Sequence, residues 1–230
     1  MLAELLALLV PPRCAACRAP GGHADAVLCA DCRRALPWLT AAPTCPRCAL
    51  PRPCGRRCPA RDAAFDAAWS AVAYDGAARD AMHALKFHAA RPLADVMAAQ
   101  IATNAPAGLL ASRATLVPVP PHPGRRRARG FDPAELIAAA LARRTGLQLA
   151  RPLRRGRSRS QQLGASREQR RDLGSLDFRT RAAVPATVVL VDDVHTTGAT
   201  LHACASALRH AGARRITAIT WARALDDRPR

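Results

Sequence analysis

Lysine is almost missing from this chain: Lys86 stands alone among 35 cations, the other 34 being arginine. Aromatic residues are nearly as scarce, at 3%. Long apolar runs are missing too, and the longest, Leu2–Val10, is interrupted by Glu4. A helix needs about 18 to 20 apolar residues to cross a bilayer, so no membrane span is expected. The same run has no positive residue before it and no small-residue cleavage site after it, which argues against a secretory signal. It reads as a short amphipathic helix stopped by Pro11 and Pro12. With no export signal, the cytoplasm is the expected compartment.

The 230 residues suit one medium domain with a small appendage, or two small domains. Half of the residues are apolar, but 53 alanines make up nearly half of that share. The core must therefore be built from Leu, Val, Ile and Ala. The net charge is +18. A joint lean to Ala, Arg and Pro looks like drift towards GC-rich codons, so part of the arginine excess needs no functional reason.

Eight of the nine cysteines lie between positions 14 and 58, in four pairs: Cys14/Cys17, Cys29/Cys32, Cys45/Cys48 and Cys54/Cys58. Apart from these pairs no internal repeat is visible. Pro11–Arg61 has few large apolar residues (Val27, Leu28, Leu36, Trp38, Leu39 and Leu50), too few to fold such a short segment unaided. Two-residue spacing lets both thiolates face one tetrahedral ion at about 2.3 Å. A reducing compartment favours zinc over disulfides. Two closed four-sulfur zinc sites are expected, with a folding rather than a chemical role. Consecutive pairing closes shorter loops than a cross-braced arrangement and is preferred, though spacing alone leaves both open. His23 reads as a solvated loop residue, and Cys204 as a small buried hydrophobe on a helix.

Beyond the cysteines, strands alternate with helices. Strands are expected at Ala68–Tyr74, Thr115–Val119, Thr187–Val191 and Ile216–Trp221. Helices are expected at Ala77–His88, from Pro92 through Ile101, at Asp132–Thr145 and at Leu201–His210. Asp132–Thr145 is the best marked, with Asp132 as N-cap, Pro133 at the first position, Glu135 closing a capping box and Gly146 at the end. The alternation argues for an α/β fold with a mainly parallel sheet. Ligands in such sheets sit beyond the carboxyl ends of strands, where strand order reverses.

The most informative string is Val188-Val189-Leu190-Val191-Asp192-Asp193-Val194-His195-Thr196-Thr197-Gly198-Ala199-Thr200. A buried strand delivers two adjacent carboxylates, and a run of small and hydroxylated residues then opens a helix. Backbone N–H groups at a helix start attract phosphate, and Gly198 lets a ligand come close to the backbone. The acids suit a vicinal diol or a Mg2+ shell. Phosphate at one end and a diol beside it describe a ribose 5-phosphate. The string is neither G-x-G-x-x-G nor a P-loop.

The string resembles the PRPP-binding signature of type I phosphoribosyltransferases, with His195 where an aliphatic residue is common. The resemblance extends to the ComF competence family through Pro11–Cys17, Met82–His88, Leu116–Leu136 and Arg159–Phe178. Asp132-Pro133 stands where that family usually has Asn-Gln, and Asp172 where Asn is common. The resemblance implies an N-terminal helix and double zinc ribbon over 1–62 and a phosphoribosyltransferase-like domain over 63–230. It implies that Asp192 and Asp193 hold the ribose hydroxyls and that Thr196, Thr197, Gly198, Ala199 and Thr200 hold the 5-phosphate. Pyrophosphate would meet the loop at Val119-Pro120, with Mg2+ accompanying PRPP. A role in natural transformation follows, with competence-machinery proteins and single-stranded DNA as partners.

Lys86 reads as a compact cation kept for a phosphate. Residues 125–181 hold 16 Arg against five acids, including Arg125, Arg126, Arg127, Arg129, Arg154, Arg155, Arg157 and Arg159. They suggest a basic flap over pyrophosphate or a groove for single-stranded DNA. Only Phe131 and Phe178 lie nearby in sequence to stack bases, which weakens the DNA reading. No dedicated general base stands out. Three function classes remain: a phosphoribosyltransferase, a ribose-phosphate-binding protein of DNA uptake, and a zinc-ribbon nucleic-acid adaptor. The retained acids and loop argue against the last.

Overall fold

The structure, a computed structural model, describes residues 13–20, 27–156 and 177–225. The Leu2–Val10 helix, His23, Arg157, Arg159 and Asp172 lie outside them. The order of elements is α1 (Ala30–Arg34), a 3-10 turn (Leu39–Ala41), β1 (Ala67–Ala73), α2 (Gly76–Phe87), α3 (Leu93–Asn104), β2 (Thr115–Pro118), α4 (Pro123–Arg129), α5 (Pro133–Thr145), β3 (Gln148–Leu149), β4 (Leu153–Arg155), β5 (Phe178–Thr180), β6 (Thr187–His195), α6 (Ala199–His210) and β7 (Arg215–Arg223).

The main sheet has five parallel strands in the order β1-β7-β6-β2-β3. Helices cover both faces, so its central strands read as unbroken apolar runs rather than alternating ones. On one face Trp69, Leu116, Val189, Val191 and Trp221 pack with α2, α3 and α5. On the other, Val117, Val188, Leu190 and Ala218 pack with α6 and with the antiparallel pair β4–β5. The Trp221 indole N–H, isolated in this apolar layer, donates to Gln100 Oε1 at 2.7 Å.

The expected strands and helices are present, with shifted ends. Asp132 caps α5 by accepting from Ala134 N–H, and Gly146 ends it in a left-handed conformation (φ 71°). The expected capping box is only half made, because the Glu135 carboxylate pairs with Arg151 instead. A charge-assisted bond to a guanidinium outcompetes one to a backbone amide. The short strands β3, β4 and β5 and the helices α1 and α4 were not foreseen.

The two C-x-x-C turns at Cys14 and Cys45 are built alike. Cys14 N–H donates to Ala19 O and Cys45 N–H to Leu50 O, each at 2.8 Å. The residue after each second cysteine, Arg18 (φ 62°) or Ala49 (φ 58°), lies in the left-handed region. The ribbon and the sheet share their cores. Cys14, Leu28, Cys32 and Leu36 join the first, while Cys45, Cys48, Ala49 and Ala60 join the second. Between them the ribbon covers the edge strand: Ala73 N–H donates to Pro37 O and Ala68 N–H to Pro46 O, both at 2.8 Å. An open sheet edge is thereby closed.

Candidate functional site

Strand order reverses between β2 and β6. From β2 the chain crosses to β3 on one side, and from β6 it crosses to β7 on the other. The two strands also differ in reach. β2 pairs with β6 only as far as Pro118 with Val191, closed by Val119 N–H to Val191 O at 2.9 Å. β6 runs four residues further and keeps pairing with β7, through Asp192 with Thr220 to His195 with Arg223. Asp192 and Asp193 therefore sit on strand backbone that has lost its β2 neighbour, at the mouth of a crevice.

The pair is held in fixed geometry. Asp193 N–H donates to Asp192 Oδ1 at 2.8 Å. Lys86, near the end of α2, meets Asp193 Oδ2 at 2.9 Å, with both side chains mostly shielded. The lone lysine thus belongs to the site, but its partner here is a carboxylate. Asp132 is a third acid that the sequence offered only as a helix cap. Burial, together with the charges of Asp193 and Glu135, raises its carboxyl to about 7 against the opposing bond from Ala134 N–H. Burial first, and then the Asp193 charge, also push Asp192 well above the usual carboxylate range, against Lys86. Acids this close raise one another's proton affinity, and Lys86 only partly offsets their charge.

Beyond His195 the chain turns at Gly198, which adopts φ 83° and opens the twelve-residue α6 with no side-chain cap. Ala199 N–H meets only a weak acceptor, Thr197 Oγ1 at 3.4 Å. Thr196 and Thr197 are exposed, and Thr200 is half-buried. Bare amides and hydroxyls at a helix start form an anion cradle. A Cβ on Gly198 would lie 2.9 Å from His195 Nε2, so the turn needs glycine for space as well as for its conformation. His195 is 2% exposed and packs edge-on against Phe65. Burial and Arg223 hold its imidazole down at about 3, so it stays neutral.

Among the expected flap residues, Arg125, Arg126, Arg127 and Arg129 form the helix α4. Arg125 and Arg129 line a cleft with Lys86, while Arg126 and Arg127 line another with Pro118 and Pro120. Arg223, unmarked in the sequence, is buried behind the turn and donates to His195 O at 2.8 Å.

The eight cysteines gather consecutively, with Cys14, Cys17, Cys29 and Cys32 in one cluster and Cys45, Cys48, Cys54 and Cys58 in the other. All sulfurs within a cluster lie within 4.8 Å of one another. The Cys17–Cys29 and Cys45–Cys58 separations are 3.8 Å, matching the ~3.8 Å edge of a tetrahedron of sulfurs about 2.3 Å from zinc. Cys29 N–H donates to Cys14 Sγ. Burial raises the Cys14 thiol, but the amides of Cys29, Cys17 and Ala16 outweigh it and bring it to about 6. The tetrahedral spacing of the sulfurs fits two structural zinc sites. Cys204 is fully buried, with its thiol pushed up, as a core residue should be. Among the described residues no helix is long and apolar enough to cross a membrane.

Residues 5–61 match the double zinc ribbon domain family. The chain is 30% identical over 220 residues to the DNA utilization protein YhgH of Salmonella typhi, covering 90% of this chain and 94% of that one. It is 34% identical over 97 residues to the competence protein ComFC of Bacillus subtilis strain 168, covering 42% and 39%. The Thermus thermophilus protein TT1426 superposes with a TM-score of 0.33 at 20% identity, over 61% of this chain and 85% of that one. The near full-length match to YhgH, the ComFC match and the double zinc ribbon agree: this chain belongs to the ComF-like family.

Proposed function

We propose that the β2–β6 crevice binds PRPP, or a related ribose 5-phosphate, and that the protein uses it in DNA utilization or uptake. One observation carries the ligand: two adjacent carboxylates on a strand that outruns its neighbour lead into a left-handed glycine turn at an uncapped helix start. Asp192 and Asp193 would hold the ribose hydroxyls, and Thr196 to Thr200 the 5-phosphate. Mg2+ arriving with PRPP suits the hard carboxylate donors and would offset the charge between pyrophosphate and acids. The DNA role is supported by kinship with the DNA utilization protein YhgH and the competence protein ComFC.

Phosphoribosyl transfer to an acceptor is the reaction this site suits. Its chemistry asks for positioning and charge stabilisation of departing pyrophosphate more than for a base. Lys86, beside Asp193, and Arg126 and Arg127, which line a cleft with Pro118 and Pro120, would offset such charge. A second reading is a non-catalytic, zinc-containing adaptor of the competence machinery that binds single-stranded DNA. It is favoured by α4, a helix with four arginines and no buried residue.

Calorimetric titration with PRPP, ribose 5-phosphate and short oligonucleotides in parallel tests both readings. PRPP with Mg2+ at about 100 times its Kd should raise Tm by roughly 5 °C or more. Asp192→Asn with Asp193→Asn should remove the shift. No shift in the parent protein would end the ligand reading.

A further inference from the structure

Sequence distance hides a set of aromatic rings. Tyr74 follows β1, Phe87 ends α2, and Phe131 follows α4. In the folded chain all three line one cleft of about 590 Å³, together with Lys86, Arg125 and Arg129. Phe178 takes no part, being buried at β5 beneath Arg155. Phe87 is 61% exposed, although the chain has few aromatics to spare. Guanidinium groups already attend two of the rings: Arg129 lies 4.9 Å from the Phe87 centroid and Arg91 lies 5.0 Å from that of Phe131. Folding gains little from a phenylalanine left in water beside cations. A ligand with flat rings and negative charge would gain from both.

The helix α4 is an independent observation. None of its residues is buried, so core packing does not explain why it is there. Its arginines divide between two sides. Arg125 and Arg129 line the aromatic cleft, while Arg126 and Arg127 line a second cleft of about 610 Å³ with Arg154 and Arg181. Phe131 lines both clefts. The helix is thus a cationic ridge between two hollows that meet at one ring.

We infer that single-stranded DNA crosses this ridge, with an unpaired base stacked among Tyr74, Phe87 and Phe131 and its flanking phosphates on the arginines of α4. Only an unpaired base can offer its faces to these rings, which sets a single strand apart from a duplex. The inference rests on the DNA-handling part of the function proposed above and gives it a location.

The test is fluorescence anisotropy of the full, zinc-loaded chain with a labelled oligothymidylate of about twelve nucleotides, and with an abasic strand of equal length. The abasic strand should bind about tenfold more weakly. Phe87→Ala should weaken the thymidylate strand by a similar factor and leave the two strands nearly equal. Because Phe87 is exposed, its loss should not unfold the chain. Arg125→Ala with Arg129→Ala should weaken both strands and lower the log–log salt slope by about 1.4. A duplex of equal length should bind more weakly than the thymidylate strand. Equal binding of the two strands by the parent, or a preference that survives Phe87→Ala, would overturn the cleft assignment while DNA handling stood. If neither strand binds at low salt, DNA handling and this inference both fall.

Discussion

Arg223 ties the second cysteine cluster, through Cys48, to the turn that follows β6. Its Nε donates to the Cys48 carbonyl at 2.9 Å, and its Nη1 donates to His195 O at 2.8 Å and to Thr196 O. The side chain is only 4% exposed, and His195 O also accepts from Ala224 N–H at 2.9 Å. One guanidinium fork thereby sets the position of a zinc knuckle against the loop expected to hold phosphate.

Arg223→Met should therefore damage both stability and affinity. Stranding the Cys48 carbonyl and taking one donor each from His195 O and Thr196 O should cost about 3 kcal/mol, or a Tm drop of roughly 6–12 °C for a chain of this size. Loss of positioning behind the turn should weaken PRPP on the order of tenfold. Thermal melting and calorimetry of the same sample read both, and Arg223→Lys should recover part of the first but little of the second. A lower Tm with unchanged affinity would reduce Arg223 to a role in folding.

Metal content is the second expectation. Freshly purified, reduced protein should carry two zinc ions per chain by elemental analysis, and Cys48→Ser should leave about one. Cys14 and Cys48, from separate clusters, are each 1% exposed and belong to opposite cores. Chelation should therefore lower the Tm of the whole chain rather than fray one end. A metal reading near zero would remove the zinc assignment.

Turn geometry at Gly198 gives the third. Gly198→Ala must hold φ 83° and place a methyl 2.9 Å from His195 Nε2. Together these should cost on the order of 2–3 kcal/mol. Adding His195→Ala removes the clash but not the backbone strain, so the double variant should be less unstable than the two single losses summed. Strict additivity in urea unfolding would show that ring and turn do not touch.

Some of this was legible in the sequence for a simple reason: the chemistry was local. The string from Val188 to Thr200 carries strand, acids, turn and helix start within one stretch, and the cysteine spacing is set by one ion. Strand ends were harder. The expected strand stopped at Val191, yet pairing with β7 carries it on to His195. α4 left no hydrophobic period to read because it buries nothing. Arg223 carries no signal in a chain with 34 arginines. Tyr74, Phe87 and Phe131 come from three elements, and only the folded sheet brings them together. The ribbon's few apolar residues suffice because they pack into the cores of the sheet.

Asp132 gives the last expectation, and its sign follows from linkage. Its carboxyl is pushed up to about 7 by burial and by the neighbouring acids, against an ordinary value of 3.8. Between those limits the folded chain keeps a proton that the unfolded chain has lost. Asp132 then contributes stability that is fully present below about pH 4 and is lost as pH rises through 7. Asp132→Asn is uncharged throughout and still caps α5. Near pH 4 the variant and parent should unfold at similar urea concentrations, and by pH 8 the variant should be the more stable by on the order of 2 kcal/mol. A constant difference across that range would mean that Asp132 titrates as if in water. It would then stand outside the acidic crevice, and only Asp192 and Asp193 would be left within it.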